Sequence, residues 1–169
     1  EISFSLRAGG TMYYQGLSKF FKPEQPAISL NIMAFLPIIW HRFFIQSEAT
    51  LLRHSLRDGN DSVVQSLQLS GTTSNYLLLG YLGAAFPLSQ RFGLFPKLGA
   101  GYVFQTTQVT GTSSGNFNNG FIAFGAGADF LFSINKNLDV SMGVVSIGEL
   151  ERSSLTYVIQ GLMGIRLRL

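Results

Sequence analysis

The chain has few residues with the types and spacing that nucleophilic catalysis needs. It contains no cysteine and two histidines, and His54 is followed directly by Ser55, with Asp58 and Ser62 shortly after it. A hydroxyl next to an imidazole is the pair that acyl transfer uses. Proximity in sequence does not bring a base within hydrogen-bonding reach of a nucleophile, however. We therefore expect a polar connection around His54, and keep His54 and Ser55 only as weak enzyme candidates.

Metal, cofactor and nucleic-acid sites are not predicted. The two histidines, His41 and His54, are far apart, no cluster of carboxylates accompanies them, and thiolate ligands are absent. The net charge of +3 arises from scattered lysines and arginines without a basic run, so the footprint of a nucleic-acid binder is missing. We expect no bound metal, no cofactor and no nucleic-acid partner.

Isolated charges inside alternating apolar segments form the second set of candidate residues. Five of them come from four consecutive predicted strands, each within several residues of the same end of the strands: Lys97, Asp129, Asp139, Arg166 and Arg168. Enclosed charges are costly unless they are paired, so we expect these to meet at one level, with Asp129 between Lys97 and the arginine pair. Arg7 and Glu48 are expected to pair at a second level. A structural plug is the favoured role, and a gate or proton path is the alternative.

The elements that carry these charges alternate between apolar and polar residues with a period of two. Residues 155–169 do so throughout, and a strand this long exceeds the roughly five or six residues of a common soluble strand. The pattern predicts eight strands over residues 2–14, 28–36, 43–52, 73–86, 92–105, 121–132, 138–145 and 155–169. Residues 73–86 are apolar on both faces, which leaves the register of that strand open. Pro96 predicts a bulge or the end of a ladder.

The composition indicates that part of the protein surface contacts a membrane and not water. Charged residues make up 12% of the chain, about half of the roughly 25% that is usual in soluble domains. The longest apolar stretch near the middle, residues 76–88, is shorter than the roughly 20 residues of a spanning helix. We therefore predict an all-β protein, an eight-stranded antiparallel up-and-down transmembrane β-barrel, with residues 1–169 forming a single domain.

The predicted connections are alternately long and short. Long polar connections are expected at 15–26, 55–72, 107–119 and 148–154, and short ones at 37–42, 87–91 and 133–137. In outer-membrane barrels the long connections are extracellular and the short ones periplasmic, so both termini are expected in the periplasm. The third long connection is interpreted as a flexible loop, or alternatively as a contact surface for host or phage. Residues 19–22 are candidates for contact with lipopolysaccharide.

One segment resembles a known group of proteins. FPLSQRFGLFPKLGAGYVF, residues 86–104, is similar to the central periplasmic hairpin of small outer-membrane barrels, and the C-terminal alternation is similar to their assembly signal. The resemblance is to the OmpA-transmembrane and OmpX-like group. It implies a monomeric, noncatalytic barrel in the outer membrane of a Gram-negative bacterium, surrounded by outer-membrane lipid and lipopolysaccharide, with a role in envelope integrity or adhesion.

Two alternatives to this function stay open at the level of sequence. The first is a barrel enzyme that modifies lipid A by acyl transfer or deacylation, with His54 and Ser55 as its candidates. The second is a soluble calycin-like barrel that binds a hydrophobic ligand. A calycin would place its apolar face inside, so the side occupied by residues such as Leu98 and Phe124 distinguishes it from a membrane barrel.

Overall fold

The described part of the chain is built almost entirely of β-strands. The computed structural model describes residues 2–14, 21–23, 26–36, 42–56, 70–111, 114–151 and 154–169. The strands are β1 (Ile2–Tyr14), β2 (Phe21–Pro23), β3 (Ala27–Phe35), β4 (Phe43–Leu56), β5 (Ser70–Ala84), β6 (Phe86–Pro87), β7 (Phe92–Thr110), β8 (Gly115–Ser133), β9 (Leu138–Glu151) and β10 (Ser154–Arg168). Within these ranges no helix is long and apolar enough to cross a membrane.

Eight of the strands close into a barrel. Each long strand pairs antiparallel with the next one along the chain, in the order β1, β3, β4, β5, β7, β8, β9 and β10. The ring is closed by β1 and β10, which pair from Ser3↔Arg168 to Tyr14↔Tyr157. The short strands β2 and β6 add to β4 and β7. The predicted eight-stranded up-and-down barrel is confirmed.

The wall of the barrel is apolar on its outer side. Leu98 is 68% exposed and Phe124 is 55% exposed, and Met142 and Ile165 are exposed in the same way. The residues between them in each strand point to the interior, because successive side chains of a strand alternate between its two faces. This orientation is the opposite of that in a calycin, so the soluble-binder alternative is wrong.

A layer of apolar side chains fills part of the interior. In β5, Leu77, Leu79 and Tyr81 are buried in the lumen while Leu78 and Leu82 face outward. The inward residues belong to one cluster with Val103, Phe121, Ala123, Val145, Ile147, Val158 and Leu162, among others. The lumen thus contains an apolar layer as well as charges. This explains why the alternation in β5 did not determine its register.

Two predicted long loops are wrong, because the strands around them extend much further. β7 continues to Thr110 and β8 begins at Gly115, with Val109 opposite Gly115. Similarly, β9 reaches Glu151 and β10 begins at Ser154. The threonines, Val109 and Phe117 of the first segment favour a strand, and in both segments pairing satisfies backbone groups that a loop would leave to water.

The two ends of the barrel differ. Ile2, Leu169 and the turns that precede β7 and β9 lie at one end, which we call the terminal end, and β7 and β8 project at the other, which we call the loop end. The β5–β7 ladder stops at Gly83↔Lys97, directly next to Pro96, so that residue lies at a ladder end as predicted. At the tip of the β7–β8 hairpin, Gly111 has a φ of 152°, which other residues rarely adopt.

Candidate functional site

Four buried charges form a closed ring of ion pairs in the lumen, which we call the ion cluster: Arg7, Glu48, Lys97 and Asp129. Arg7 contacts Glu48 at 2.6 Å (Nη2 to Oε2) and Asp129 at 2.7 Å (Nη1 to Oδ1). Lys97 Nζ contacts Asp129 Oδ2 at 2.8 Å and Glu48 Oε2 at 3.3 Å. Each carboxylate therefore accepts from both cations. The contributing strands β1, β4, β7 and β8 come from both sides of the ring, so the cluster crosses the lumen.

Neutral side chains complete the shell around Glu48 and Arg7. Glu48 accepts hydrogen bonds from Ser29 Oγ at 3.1 Å, Gln46 Nε2 at 3.0 Å and Thr50 Oγ1 at 3.3 Å. With the amide of Asn31 oriented to suit its neighbours, its oxygen accepts from Arg7 Nε and Nη2, each at 3.0 Å. The charges are thus both paired and hydrogen-bonded, which is the condition for burying them.

Glycines provide the room for these long side chains. The Lys97 ammonium lies 4.7 Å from the centre of the Tyr81 ring. A Cβ on Gly125 would lie 2.8 Å from that ring, and one on Gly143 would lie 2.9 Å from Arg7 Nη1. Tyr81 and the ion cluster therefore occupy space that side chains at positions 125 and 143 would otherwise fill.

The glycines on the inward face of β7 and β8 serve two purposes. Gly125 accommodates the Tyr81 ring, and Gly99 accommodates both that ring and the backbone oxygen of Gly80. A Cβ on Gly101 or Gly127 would instead come close to the backbone of the neighbouring strand. The latter two glycines permit close strand approach and leave little space in the lumen.

The predicted arrangement of the ion pairs needs correction. Asp129 lies between Lys97 and Arg7, and the arginines near the C-terminus belong to a separate group on Asp139. Arg166 Nε lies 3.5 Å and Arg168 Nη2 lies 2.8 Å from that carboxylate. The sequence-based pairing followed neighbouring strands, whereas ring closure brings β1 into contact across the lumen with β8. Arg7 and Glu48 are consequently part of the main cluster and do not form a second level.

The weak enzyme candidates are not arranged as a catalytic pair. Both lie within β4, which continues to Leu56, so the second long connection does not begin at residue 55 as predicted. His54 is 2% exposed and points into the lumen, whereas Ser55 follows it on the other face, and no hydrogen bond joins the two side chains. Asp58, Ser62 and His41 lie outside the described residues. Within the ranges that the structure covers, no three side chains of the metal-binding types are grouped.

Sequence reasoning missed a sheet that protrudes at the loop end. β5, β7 and β8 remain paired as far as Ser70↔Thr110 and Val109↔Gly115, but β8 pairs with β9 only from Ile122↔Leu150 onward. Residues 115–121 of β8 therefore have β7 on one side and no described residue paired on the other. We call this segment the β8 edge. The sequence signal for this sheet is the run of uncharged Thr, Gln and Asn residues in 106–120, a composition that is also typical of a loop.

Comparison with known proteins supports the fold. No family model matches the sequence, and no curated protein matches it. A major outer membrane protein from Thermus thermophilus is 15% identical with a TM-score of 0.65, each chain being covered completely. Neisserial surface protein A is 13% identical with a TM-score of 0.63, and the match covers 99% of this chain and 97% of the neisserial chain. Ail, the attachment invasion locus protein of Yersinia pestis, is 17% identical with a TM-score of 0.56, and the match covers 100% of this chain and 99% of the Ail chain.

These likenesses define the class of fold. The chain has the fold of the small eight-stranded outer-membrane barrels, as the resemblance of residues 86–104 predicted. At identities of 13 to 17% the comparison extends to the fold alone. Ail has also been solved in complex with the heparin analogue sucrose octasulfate.

Proposed function

We propose that this protein is a noncatalytic barrel of the bacterial outer membrane whose β8 edge serves as an adhesive surface. The observation that carries the proposal is the β8 edge, which stands beyond the apolar wall and whose second side is paired with no residue that the structure describes. In this proposal the protruding sheet is extracellular and the terminal end is periplasmic. Outer-membrane lipid and lipopolysaccharide surround the wall, and the barrel is a monomer.

The outer face of the wall supports the location in a membrane. Large apolar side chains project from every long strand, among them Phe4, Ile32, Ile45, Leu78, Leu98, Phe124, Val144 and Ile165. Such a continuous apolar surface would be unfavourable in water. A closed barrel satisfies its backbone hydrogen bonds internally, which a strand in hydrocarbon requires.

The chemistry of the β8 edge supports pairing with another polypeptide. Residues 114–121 contain neither a charge nor a proline, the two features with which proteins usually protect an exposed edge. An extended segment of a partner can add to such an edge by main-chain hydrogen bonds. Phe117 is 58% exposed and supplies one apolar anchor among polar neighbours. Ail, an attachment protein by its name, shares this fold.

Adherence to cultured epithelial cells tests the adhesive role. A bacterial host expressing the protein should adhere more than the same host without it. Lysines introduced as Asn116→Lys with Asn118→Lys should abolish the increase, because charges protect an edge. Gln108→Lys with Thr110→Lys on β7 is the matched control and should retain adherence. If the wild-type protein gives no increase, or if both double variants lose it equally, adhesion through the β8 edge is wrong.

We further propose that the ion cluster holds the barrel closed and does not conduct. Its two cations and two anions balance, and each carboxylate receives donors from several strands. An eight-stranded barrel has an interior only wide enough for its own side chains. The interior layer around Leu77, Val103 and Ile147 adds a dry barrier beside the charges.

A further inference from the structure

The terminal end contains a cavity that is separate from the ion cluster. Its volume is about 310 Å³, and it opens between the ends of β5, β8, β9 and β10 and the turn that precedes β7. Phe35, Phe95 and Leu131 form an apolar floor, and Phe35 and Phe95 meet edge to face at 6.4 Å between ring centres. The size is within the range of small-molecule sites.

The charges around this cavity do not balance. Four arginines line it, namely Arg42, Arg91, Arg166 and Arg168, against a single carboxylate, Asp139. Among the described lining residues this is an excess of three positive charges. The ion cluster deeper in the lumen is neutral by contrast.

The arginines are held in defined places. Arg166 is 3% exposed, lies against Asp139 and has its guanidinium 5.5 Å from the centre of the Phe95 ring. Arg168 donates to Asp139 at 2.8 Å and to the Asn135 carbonyl at 2.8 Å. Arg42 is anchored through its carbonyl, which accepts from Ala85 N at 2.6 Å.

The turn that carries Arg91 is also ordered. Ser89 Oγ accepts hydrogen bonds from the backbone N–H of Arg91 at 3.2 Å and of Phe92 at 3.1 Å. Arg91 and Arg42 are exposed at the rim, whereas Arg166 lies at the floor. Cations are therefore present both at the entrance and at the base of the cavity.

We propose that the terminal-end cavity binds a small amphipathic anion, with a phosphate or carboxylate group on the arginines and an apolar body on the aromatic floor. A guanidinium presents a planar fork that matches both kinds of oxyanion. The hydroxyls of Ser89 and Ser133, which also line the cavity, are additional donors. The excess positive charge favours an anion, and the phenylalanine floor distinguishes an amphipathic ligand from a simple inorganic ion.

Titration calorimetry of the refolded protein in an uncharged detergent tests this site. The probes are phenyl phosphate, benzoate, inorganic phosphate and phenol. Phenyl phosphate or benzoate should bind, inorganic phosphate should bind more weakly, and phenol should not bind. Whichever aromatic anion binds more tightly identifies the preferred oxyanion. Equal binding of inorganic and phenyl phosphate would overturn the amphipathic assignment, and no binding of either aromatic anion would overturn the site.

Matched variants separate the site from general electrostatic attraction. Arg42→Gln with Arg91→Gln should weaken binding about ten-fold or more, the effect of losing charged hydrogen bonds. Lys136→Gln removes a cation from the neighbouring turn that does not line the cavity, and should leave binding unchanged. Because all three positions are exposed, the variants should fold. Gel electrophoresis checks this, since a folded barrel changes its mobility when the sample is heated. Equal losses in both variants, or none in the double variant, would overturn the proposal.

Discussion

At the residue scale, the ion cluster depends on an absent side chain. Gly143 on β9 lies directly opposite Asp129 in the β8–β9 ladder, on the inward face. A Cβ there would overlap Asp129 Oδ1 and approach Arg7 Nη1 to 2.9 Å. One methyl group would therefore separate the ion pair that joins β1 to β8 across the lumen. The cluster is maintained as much by this space as by the charges.

Gly143→Ala should consequently lower the stability of the barrel. Overpacking of a filled interior costs about 1–3 kcal/mol, and displacing Asp129 from Arg7 adds to that loss. The free energy of unfolding, measured by urea titration in lipid vesicles, should fall by that amount or more. Gly161→Ala on the adjacent strand β10 is the control, because nothing lies within 4 Å of its Cβ. Equal losses in the two variants would mean that the ion cluster is not responsible.

Which residues carry the cluster was predictable, but their pairing was not. In these strands large apolar residues alternate with small ones, and a charge such as Lys97 or Asp129 takes the place of a small residue. Its inward position therefore follows from the pattern. Arg7 and Asp129 are 122 positions apart, and their contact requires closure of the ring by β1 and β10. No local pattern contains that information.

At the element scale, β8 has two regions with different hydrogen bonding. From Ile122 onward it is paired on both sides, by β7 and by β9, whereas the β8 edge is paired, among the described strands, with β7 alone. In the doubly paired region every backbone N–H has a partner strand. Along an edge, successive N–H groups point alternately toward the partner and away from it.

Hydrogen exchange should report this difference. In the protein reconstituted in vesicles, amides of residues 123–129 should exchange slowly, because both neighbouring strands protect them. In the β8 edge, alternate amides should exchange fast and those between them more slowly. Uniformly fast exchange over residues 115–120 would mean that the protruding hairpin is not formed in solution. Uniformly slow exchange would mean that another segment covers the edge.

The predicted strand ends agree with the structure at the terminal end, whereas at the loop end those of β4, β5, β7, β8 and β9 fall short of the observed strands. At the terminal end the short turns leave little freedom, so the start of β7 at Phe92 and of β9 at Leu138 agree with the sequence pattern. At the loop end, uncharged Thr, Gln and Asn residues fit equally well in a strand and in a loop, and pairing decides between them. The result was a predicted loop over 107–119 where the protruding hairpin lies.

At the scale of the whole molecule, the barrel combines an apolar outside with a layered inside. The interior has an arginine-rich cavity at the terminal end, the neutral ion cluster farther in, and the apolar layer around Leu77 and Ile147. The eight-stranded closure was predictable because strand number and alternation follow from the sequence; the apolar interior layer was not, since it breaks the expected polar lumen.

The outward face provides the decisive test of a membrane location. Leu78 is 52% exposed, lies in the middle of β5, and is paired between Ala49 and Tyr102. If this surface contacts hydrocarbon, Leu78→Arg should lower the free energy of unfolding in vesicles by about 2–4 kcal/mol, the effect of an arginine near the bilayer midplane. Gln108→Arg, on the outward face of β7 but in the protruding sheet beyond the wall, should change the free energy of unfolding little. Because both variants add the same charge to an exposed strand position, only the surrounding medium differs. Equal stability of the two would mean that the wall is not immersed in lipid, and the proposed location would have to be abandoned.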